Sequence, residues 1–447
     1  MPGIIIKINS RKETNNVTYK EARVYLDEVS KYGSVLGLDA IRKLLCELGN
    51  PQEELRFIHI AGTNGKGSVL AYTSTILSES GLKTGRYVSP TVRSYLERIQ
   101  VDGRWISEET FAELVEEVQR AVARMRADGK LCPTVFEIET AIAFLYFRKM
   151  KCDMVVLETG LGGGEDATNI VKNTAIAAFA TISRDHMGFL GNTLTEIAEK
   201  KAGIIKQGCV VVSAPQKPEV CAVLEKEAQK YGCPVIYAEP EKIKILEENY
   251  RKQIFSYKEM EKIRIRLAGR HQLLNAATAY EVIRAWNEIA EKAVSLSEIY
   301  TGFAHTEWVG RFTCITEKPI FIVDGAHNED AARRLRESVE TYFPGKKLIY
   351  IMGVFKDKEY EKIVDLMIPY TKYVYTVNLP DTGRSLPAEE LRDAVIKAGK
   401  GKVAAEAAGD IEKAVGLAIE RAGEDDVILA FGSLSYLGKV IESVNVL

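Results

Sequence analysis

Short apolar runs alternate with helical patterns over most of this chain. The runs are nearly continuous in apolar residues, which is typical of strands in a parallel sheet that is covered on both faces. Segments with apolar residues three or four positions apart follow them and predict amphipathic helices. The predicted strands of the first half are Phe57–Ala61, Thr84–Val88, Met154–Leu157, Ile176–Ile182 and Val210–Ser213.

Four further segments of the first half have patterns of their own. Residues 19–48 read as two helices that are broken near Tyr32. Arg98–Trp105 contains an Asp-Gly pair between short alternating stretches, which predicts a β-hairpin. Ile243–Leu267 is charged and strand-prone, so we expect a peripheral antiparallel element there. Gln272–Asn287 predicts a long helix.

A second alternating series fills the last third of the chain. Two such series predict two α/β domains. The pattern lapses between Ala304 and Arg311, which predicts a join between a domain of residues 1–304 and a domain of residues 305–447. The predicted strands of the second series are Ile320–Val323, Leu348–Met352, Tyr373–Val377, Lys402–Ala404 and Val427–Phe431.

The composition is ordinary for a globular protein. Of the 447 residues, 46% are hydrophobic and 27% are charged, and the net charge of −2 does not favour general attraction to nucleic acid or membranes. The seven cysteines include no C-x-x-C pair, which fits a reducing compartment. The apolar run at the start is too short for a signal peptide, and no segment is long enough to span a bilayer. We therefore expect a cytoplasmic protein.

The segment Arg56–Ser68, RFIHIAGTNGKGS, carries the strongest chemical signal. A predicted strand leads into a loop with three glycines and a lysine, and a helical pattern over Val69–Ser80 follows. Glycines let backbone N–H groups approach an anion, a helix start adds partial positive charge, and a lysine neutralises phosphate oxygens. This pattern predicts binding of a nucleoside triphosphate. The predicted contacts are Gly62, Thr63, Asn64, Gly65, Lys66, Gly67 and Ser68.

This loop departs from the usual phosphate-loop pattern at two positions. Ile60 stands where the first glycine of that pattern belongs, and Gly67 replaces the hydroxyl residue that normally holds Mg²⁺. A metal ligand must then come from elsewhere. The alternative is a glycine turn that binds no ligand. The expected fold class is α/β, with an N-terminal P-loop ATP-binding domain on a mostly parallel sheet and a C-terminal Rossmann-like domain.

Polar residues follow several predicted strands at the edge where parallel sheets bind ligands. Ser89 follows the second strand, Glu158 the third and His186 the fourth. Asp324 and His327 follow the first strand of the second series. One such residue alone more often caps a helix or a turn. Four such strand ends around a phosphate loop favour a metal–nucleotide site, in which Glu158 and Ser89 are candidate Mg²⁺ ligands.

His59 is a histidine that we do not assign to this site. It alternates with apolar residues inside the first strand, so a packed, hydrogen-bonded side chain is the expected role.

A series of ordered motifs resembles those of folylpolyglutamate synthases and of bifunctional dihydrofolate synthase/folylpolyglutamate synthases, a family within the Mur ligase superfamily. The resemblance runs from about residue 19 to the C-terminus. Its carriers are HIAGTNGKGS (59–68), SP and ERIQV (89–90, 97–101), TVFEIETAIAF (134–144), ETGLGGGEDATN (158–169), DHMGFLGNTLTEIAEKKAGIIK (185–206), GRHQLLNAATA (269–279), WVGR (308–311), DGAHN (324–328) and FGSLSYLG (431–438).

The chain departs from the usual family motifs in three places. A Gly-Glu pair at 164–165 replaces an Arg-Leu pair, a Thr-Val pair at 91–92 stands where the family often has His-Leu, and Val309 replaces a proline. The first two lie close to where the family binds its pterin substrate, so they bear on the choice of substrate.

The resemblance implies an ATP-dependent ligase that adds L-glutamate to a folate-type carboxylate. Such an enzyme transfers the γ-phosphoryl group of ATP to the carboxylate, and the glutamate amine then attacks the acyl phosphate. The implied small molecules are ATP, Mg²⁺, L-glutamate and either dihydropteroate or a reduced folate. A monomer that acts without nucleic acid or membrane is expected.

Matching the family motifs residue by residue implies the roles within the site. His186 and a carbamylated Lys201 would serve a second Mg²⁺, although the Lys-Lys pair alone reads as solvated. Arg311 lies at the join, so it would reach the phosphates when the domains close. The implied catalytic residues are Lys66, His186, Lys201, Arg311 and His327; further nucleotide contacts are Asn275, Arg311 and Asp324; substrate contacts are Asp166, Ala167, His327 and Ser433.

Other functions stay open at this point. An enzyme with only one of the two activities, folylpolyglutamate synthase or dihydrofolate synthase, carries the same shared motifs. A phosphate-loop kinase or a nucleotide-driven switch is the alternative from a different class, and the second α/β series with its DGAHN segment argues against it. A dinucleotide oxidoreductase is disfavoured because the loop lacks G-x-G-x-x-G.

Overall fold

A computed structural model describes residues 17–30, 37–127, 132–185, 190–381 and 383–446. An eight-stranded sheet organises the first part of the chain. Its strands are β1 (Phe57–Ala61), β2 (Thr84–Tyr87), β3 (Ile99–Val101), β4 (Arg104–Trp105), β5 (Met154–Glu158), β6 (Thr174–Phe179), β7 (Val210–Ser213) and β8 (Val235–Tyr237). The strand order is β4-β3-β2-β5-β1-β6-β7-β8. The six strands from β2 to β8 in that order are parallel, and β3 and β4 form an antiparallel hairpin at the edge.

Helices cover both faces of this sheet. They are α1 (Tyr19–Ser30), α2 (Asp39–Glu47), α3 (Lys66–Glu79), α4 (Glu108–Ala127), α5 (Val135–Lys149), α6 (Leu194–Ala202), α7 (Pro218–Lys230), α8 (Arg270–Ile289) and α9 (Leu296–His305). Every residue of β1 is buried, with Phe57 in the core under α4 and α5 and Ile58 and Ile60 in the core under α3 and α8. Burial on both sides explains why the strand is a continuous apolar run.

A small antiparallel sheet packs beside α8 and α9. It consists of β9 (Ile243–Glu248), β10 (Gln253–Tyr257) and β11 (Met260–Ile265), with β10 in the middle. In β10, Phe255 and Tyr257 alternate with half-buried residues and enter the same core as Ile58.

A six-stranded sheet organises the last part of the chain. Its strands are β12 (Thr313–Glu317), β13 (Ile320–Val323), β14 (Leu348–Met352), β15 (Thr371–Val377), β16 (Ala404–Gly409) and β17 (Val427–Phe431), in the order β12-β13-β17-β14-β15-β16. All neighbouring pairs are parallel except β12 with β13. The covering helices are α10 (Glu329–Tyr342), α11 (Tyr360–Met367), α12 (Ala388–Ala398), α13 (Ile411–Arg421) and α14 (Leu437–Val446). Within the described ranges, no helix has both the length and the apolar character that a membrane span needs.

The structure confirms the predicted fold class and most of the predicted elements. The hairpin, the peripheral antiparallel sheet and the two helices before residue 48 are present, while the break near Tyr32 lies outside the described residues. The strand expected at Ile176–Ile182 is shifted, because β6 begins at Thr174 and ends at Phe179. Strands β8 and β12 were not predicted. The division into domains at residue 304 stays a prediction; the two large sheets lie on either side of it.

Gly302 lets α9 pack against α3, and we expect its replacement to destabilise the fold. A β-carbon at this position would lie 2.5 Å from Ile76 Cγ1 and 2.6 Å from Ile76 Cα. The Gly302→Ala variant should therefore lose about 1–3 kcal/mol of unfolding free energy through overpacking. Gly416 in α13 is the matched control, because a β-carbon there meets nothing within 4 Å. Gly416→Ala should be neutral or stabilising by up to about 1 kcal/mol. Equal midpoints of urea unfolding for the two variants would contradict this role of Gly302.

Candidate active site

The loop after β1 lies at the carboxyl edge of the first sheet and leads directly into α3. Its backbone is tied to the segment after β6, because the N–H groups of Thr63 and Asn64 donate to the Thr181 carbonyl at 2.8 and 3.1 Å. Helix α3 begins at Lys66 after Gly65, whose φ is +94°. The first N–H groups of the helix, at residues 66–68, have no carbonyl partner within it. The loop therefore presents a cluster of backbone donors at a helix start, as a phosphate site requires.

Close approaches of other elements explain two of the loop glycines. A β-carbon at Gly62 would lie 2.9 Å from Ala180 Cβ, and one at Gly65 would lie 2.5 Å from Asn275 Oδ1. The second approach places the Asn275 amide of α8 against the loop. Its Nδ2 group donates to Gln272 Oε1 at 3.0 Å, which fixes the amide orientation.

Lys66 and Glu158 face each other across the strand ends. The distance from Lys66 Nζ to Glu158 Oε1 is 3.8 Å, which is too long for a hydrogen bond. Burial raises the pKa of Glu158, while Lys66, Arg311 and the Ser89 backbone N–H oppose that rise. Ser89 and Glu158 both line the cavity next to the loop. Their oxygens are the kind of donors that Mg²⁺ prefers.

Ser68 supplies an unpartnered hydroxyl in the same place. The side chain is fully buried, and its Oγ has no hydrogen-bond partner among the described residues. A buried hydroxyl without a partner is unfavourable, so a ligand that bonds to Oγ would remove that penalty.

Lys201 of α6 points into the structure beneath the loop. Its side chain is 4% exposed, and Nζ donates to the Gly62 carbonyl at 2.7 Å. Burial, assisted by repulsion from Lys66, lowers the pKa of Lys201 to about 7. The neighbouring Lys200 points to solvent and forms an ion pair with Glu165 at 2.9 Å. The two lysines thus have different environments although they are adjacent in the sequence.

The second sheet contributes Arg311, Asp324 and His327 to the same cavity. Both carboxylate oxygens of Asp324 accept backbone N–H groups, from Phe312 and from Ala326, at 2.8 Å each. His327 Nδ1 lies 2.8 Å from the Gly325 carbonyl, so Nδ1 carries the proton. Its Nε2 then faces the cavity, 3.6 Å from Asp185 Oδ2.

Side chains from the two sheets meet directly beside the loop. Asn64 Nδ2 donates to Asp330 Oδ2 at 2.8 Å, and Asn328 Nδ2 donates to Asn64 Oδ1 at 3.2 Å and to Asp185 Oδ2 at 3.0 Å. Lys358 Nζ bonds to the other oxygen of Asp185 at 2.8 Å, and each of these two side chains is 9% exposed. The cavity thus lies between the carboxyl ends of the two sheets.

Most of the predicted site residues converge on this cavity. The lining includes Gly62, Thr63, Asn64, Gly65, Lys66, Gly67, Ser68, Ser89, Glu158, Lys201, Asn275, Arg311, Asp324 and His327. His186 lies outside the described residues. Sequence reasoning assigned no role to many other lining residues, among them Glu97, Asp185, His271 and Trp308. It also missed Lys358, which bonds to Asp185. All of these except Lys358 lie inside a family motif, but their places in the site depend on contacts between distant segments.

Three predicted substrate contacts do not line the cavity in this conformation: Asp166, Ala167 and Ser433. One oxygen of Asp166 accepts the Leu161 N–H at 2.7 Å, and the other accepts the Thr168 N–H at 3.0 Å and the Thr168 hydroxyl at 2.5 Å. Ser433 Oγ lies 2.9 Å from Ser435 Oγ and caps a turn. These groups shape loops around the cavity, and their contact with substrate stays a prediction.

His59 is packed and hydrogen-bonded, as its position in the strand predicts. It is fully buried, and Nε2 lies 2.9 Å from Thr168 Oγ1, which itself bonds to Asp166. This relay ties β1 to the glycine-rich segment after β5.

Comparisons with known proteins agree with this architecture. The model of the Mur ligase middle domain matches residues 60–283, and the model of the Mur ligase glutamate ligase domain matches residues 310–434. The chain is 33% identical to the dihydrofolate synthase/folylpolyglutamate synthase of Bacillus subtilis (strain 168) over 428 residues, which cover 94% of this chain and 98% of that protein.

Solved structures are similar over nearly the whole chain. Folylpolyglutamate synthase of Mycobacterium tuberculosis, complexed with ADP and AMPPCP, has a TM-score of 0.85 and 27% identity, covering 94% of this chain and 97% of that one. E. coli FolC in complex with DHPP and ADP has a TM-score of 0.83 and 26% identity, covering 95% of this chain and 98% of that one.

The fold and the matched domains make this chain a Mur ligase. Within that superfamily it belongs to the folylpolyglutamate synthase/dihydrofolate synthase family, which confirms the resemblance carried by its motifs.

The buried His59 should make the fold sensitive to acid. Burial lowers the pKa of His59 from 6.5 to about 3. Below pH 6.5 the unfolded chain binds a proton that the folded chain does not bind until about pH 3, so the unfolding free energy falls as the pH falls through this window. Between pH 7 and pH 5 this group should account for a loss of about 2 kcal/mol. In His59→Gln, whose amide can still bond to Thr168, that part of the pH dependence should disappear. Urea unfolding at both pH values tests this, and parallel profiles for the two proteins would contradict it.

Proposed function

We propose that this protein is an ATP-dependent ligase that joins L-glutamate to a folate-type carboxylate through an acyl phosphate. The single observation that carries the proposal is the convergence on one cavity of a phosphate loop from the first sheet with Arg311 and His327 from the second. Membership of the folylpolyglutamate synthase/dihydrofolate synthase family supports it.

The chemistry explains why a phosphate loop and a second domain are both needed. A carboxylate is a poor acyl donor at neutral pH, because an oxide cannot leave. Transfer of the γ-phosphoryl group creates a good leaving group, and the glutamate amine then forms the amide while phosphate departs. Positioning and charge neutralisation are the main contributions that a protein makes to such a transfer.

The phosphates fit the start of α3. Lys66 and the N–H groups of residues 66–68 neutralise them, and the buried Ser68 hydroxyl gains an acceptor or donor partner on the nucleotide. Asn275 borders Gly65 and would hold the nucleotide from the side of α8. Arg311, whose charge opposes the burial-driven rise in the pKa of Glu158, lies within electrostatic reach of the same phosphates.

The residues present also fit Mg²⁺. Among the described residues no three His, Cys, Asp or Glu side chains come together as a metal site. Mg²⁺ in nucleotide enzymes, however, uses one or two protein oxygens and takes the rest from phosphates and water. Glu158 and Ser89 provide such oxygens beside Lys66. Bound there, the cation would neutralise charge on the transferring phosphoryl group.

Lys201 is the proposed ligand of a second Mg²⁺, together with His186. A pKa of about 7 leaves a large fraction of the Lys201 amine neutral at physiological pH, and a neutral amine can add CO₂ with release of a proton. The resulting carbamate is an anion with two oxygens, which a hard cation prefers to an ammonium. The Gly62 carbonyl can keep its hydrogen bond to the remaining N–H of Lys201.

The second domain is proposed to receive the glutamate. His327 turns Nε2 to the cavity, and Ser433 would have to change its turn to reach it. The 164–165 departure from the family motif lies outside the cavity lining, since Glu165 pairs with Lys200 at the surface. Val92, in contrast, lines the cavity and bears on the pterin end of the substrate. We propose both activities, as the name of the Bacillus subtilis relative carries both.

The protein is proposed to act in the cytoplasm as a monomer. All seven cysteines are free, including the buried pair Cys209 and Cys233, whose sulfurs lie 3.8 Å apart. Free thiols at this separation are typical of a reducing compartment.

The assay for the proposed function is ADP release with Mg²⁺, glutamate and either dihydropteroate or tetrahydrofolate. ADP should appear only when glutamate and a pterin-linked carboxylate are both present. Lys66→Ala is the inactive control, because it removes charge stabilisation of the phosphoryl group and should lower the rate about a hundredfold or more. Release with only one of the two carboxylates would assign a single activity. ADP release that does not depend on glutamate would favour a kinase or a nucleotide switch and overturn the proposal.

The Lys200 and Lys201 pair offers a matched test of the carbamate. Lys201→Ala should nearly abolish the ligase activity, because the buried metal ligand is lost. Lys200→Ala should keep it, because only an exposed ion pair worth less than about 1 kcal/mol is removed. Added short carboxylates should restore part of the Lys201→Ala activity. In wild-type protein, ¹³CO₂ should give one carbamate signal in the carbon NMR spectrum that the Lys201→Ala variant lacks. An active Lys201→Ala enzyme would refute this role.

A further inference from the structure

Gly67 is the residue of the phosphate loop that departs most clearly from the usual pattern, and the structure explains it. A β-carbon at Gly67 would lie 2.8 Å from Trp308 Nε1 and 3.2 Å from both Trp308 Cε2 and Cζ2. Side-chain carbons do not approach other atoms so closely without a shift. The N–H edge of the Trp308 indole therefore rests on the backbone of the first turn of α3, where a serine or threonine is usual.

The indole is held in this place from several sides. Helix α9 packs tightly against α3 at Gly302, and the chain that leaves α9 after His305 reaches the start of α3 at Trp308. Thr306 is buried, and its hydroxyl bonds to the Gly302 carbonyl at 2.7 Å. The Arg86 guanidinium lies 5.8 Å from the centre of the indole. This guanidinium is itself fixed, because it donates to the hydroxyl groups of Ser74 and Thr75 at 2.8 and 3.0 Å.

The indole N–H has no hydrogen-bond partner in the part of the chain that the structure describes, and the side chain lines the cavity. An indole is a donor only, so its partner must be an acceptor. Next to it are the unpaired N–H groups of residues 66–68 and the buried, unpartnered hydroxyl of Ser68. Lys66 adds a full positive charge. These groups favour an anion with several acceptor oxygens.

We propose that Trp308 is a nucleotide-binding residue whose indole N–H donates to a phosphate oxygen next to Gly67. The proposal rests on the proposed function, because it assumes that the cavity takes ATP. Trp308 thereby adds a phosphate donor, from the segment between the two sheets, beside the position after Lys66 where this loop has no side chain; it does not take over the metal-binding role of the usual hydroxyl. Binding of nucleotide would then fix the segment around residue 308 to the loop.

Trp308→Phe tests the proposal, because it keeps an aromatic ring and removes the N–H. Calorimetric titration with MgATP, without glutamate or folate, should show a dissociation constant raised about tenfold or more, as expected for a lost hydrogen bond to a charged group. Trp105→Phe is the matched control, because the Trp105 side chain is 41% exposed on β4. The affinity of this variant for MgATP should equal that of the wild type. Equal affinities for wild type and Trp308→Phe would overturn the proposal.

Inorganic triphosphate identifies the acceptor. It has the phosphates without the base, so Trp308→Phe should weaken its competition with MgATP by a similar factor. A loss for ATP with none for triphosphate would place the acceptor elsewhere and overturn the proposal. If wild type binds MgATP and the variant binds it weakly while no glutamate-dependent ADP release occurs, this proposal stands and the ligase function falls.

A double-mutant cycle separates binding from mere packing. Gly67→Ala should weaken MgATP binding strongly when residue 308 is Trp, because the new methyl group displaces the indole edge. It should weaken binding much less when residue 308 is Phe, because the N–H that the methyl group displaces is then already absent. Additive effects would show that Gly67→Ala does not act through the indole N–H and would overturn the proposal. Thermal unfolding of each variant verifies that all four proteins are folded.

Discussion

The contact between the phosphate loop and the start of α10 is the interaction on which the rest of the site depends. Asn64 bonds to Asp330 at 2.8 Å and exchanges a bond with Asn328. Because the loop that carries Asp324 and His327 joins β13 to α10, this contact sets where those residues lie relative to Lys66. Polar bonds of this kind are directional, so they fix orientation better than an apolar interface of the same size.

The cavity contains buried charges that the protein alone leaves incompletely compensated. Lys66 and Glu158 approach only to 3.8 Å, and the lowered pKa of Lys201 shows that its charge is unfavourable where it lies. Perturbed groups of this kind cluster at sites of function. A nucleotide with its cation would supply both the negative and the positive charge that these groups lack. The site is therefore built for a charged ligand at some loss of stability without it.

Sequence patterns predicted the elements whose physics is local. Buried parallel strands such as β1, β14 and β17 are continuous apolar runs, and their bounds were predicted to the residue. The three-residue β8 is only half-buried, and β12 alternates weakly at a sheet edge, so neither has such a run.

The site was predicted where a motif carries its own chemistry, as in the loop at 62–68. The Lys-Lys pair alone reads as solvated, yet Lys201 is buried and only Lys200 is exposed; Lys201 lies four residues after the buried Ile197 and so shares its face of α6. Contacts between segments that lie far apart in the sequence leave no local pattern from which they could be predicted. Asp185 and Lys358 lie 173 positions apart, and the contact of Trp308 with Gly67 is visible in the sequence only as an unexplained glycine.

The packing of the connecting segment has a mechanical consequence. Up to Trp308 the chain is anchored to the first sheet, through α9 and through the indole on α3. From Gly310 it is anchored to the second, because the Gly310 N–H bonds to Thr313 Oγ1 and the Gly310 carbonyl accepts the Gly325 N–H. A rotation of one sheet against the other must then be absorbed at Val309 and Gly310, where φ of Gly310 is +81°. The pivot therefore follows directly after Trp308, whose indole contacts the phosphate loop, and Arg311 comes next in the chain, so Arg311 moves much less than the far edge of the second sheet in such a rotation.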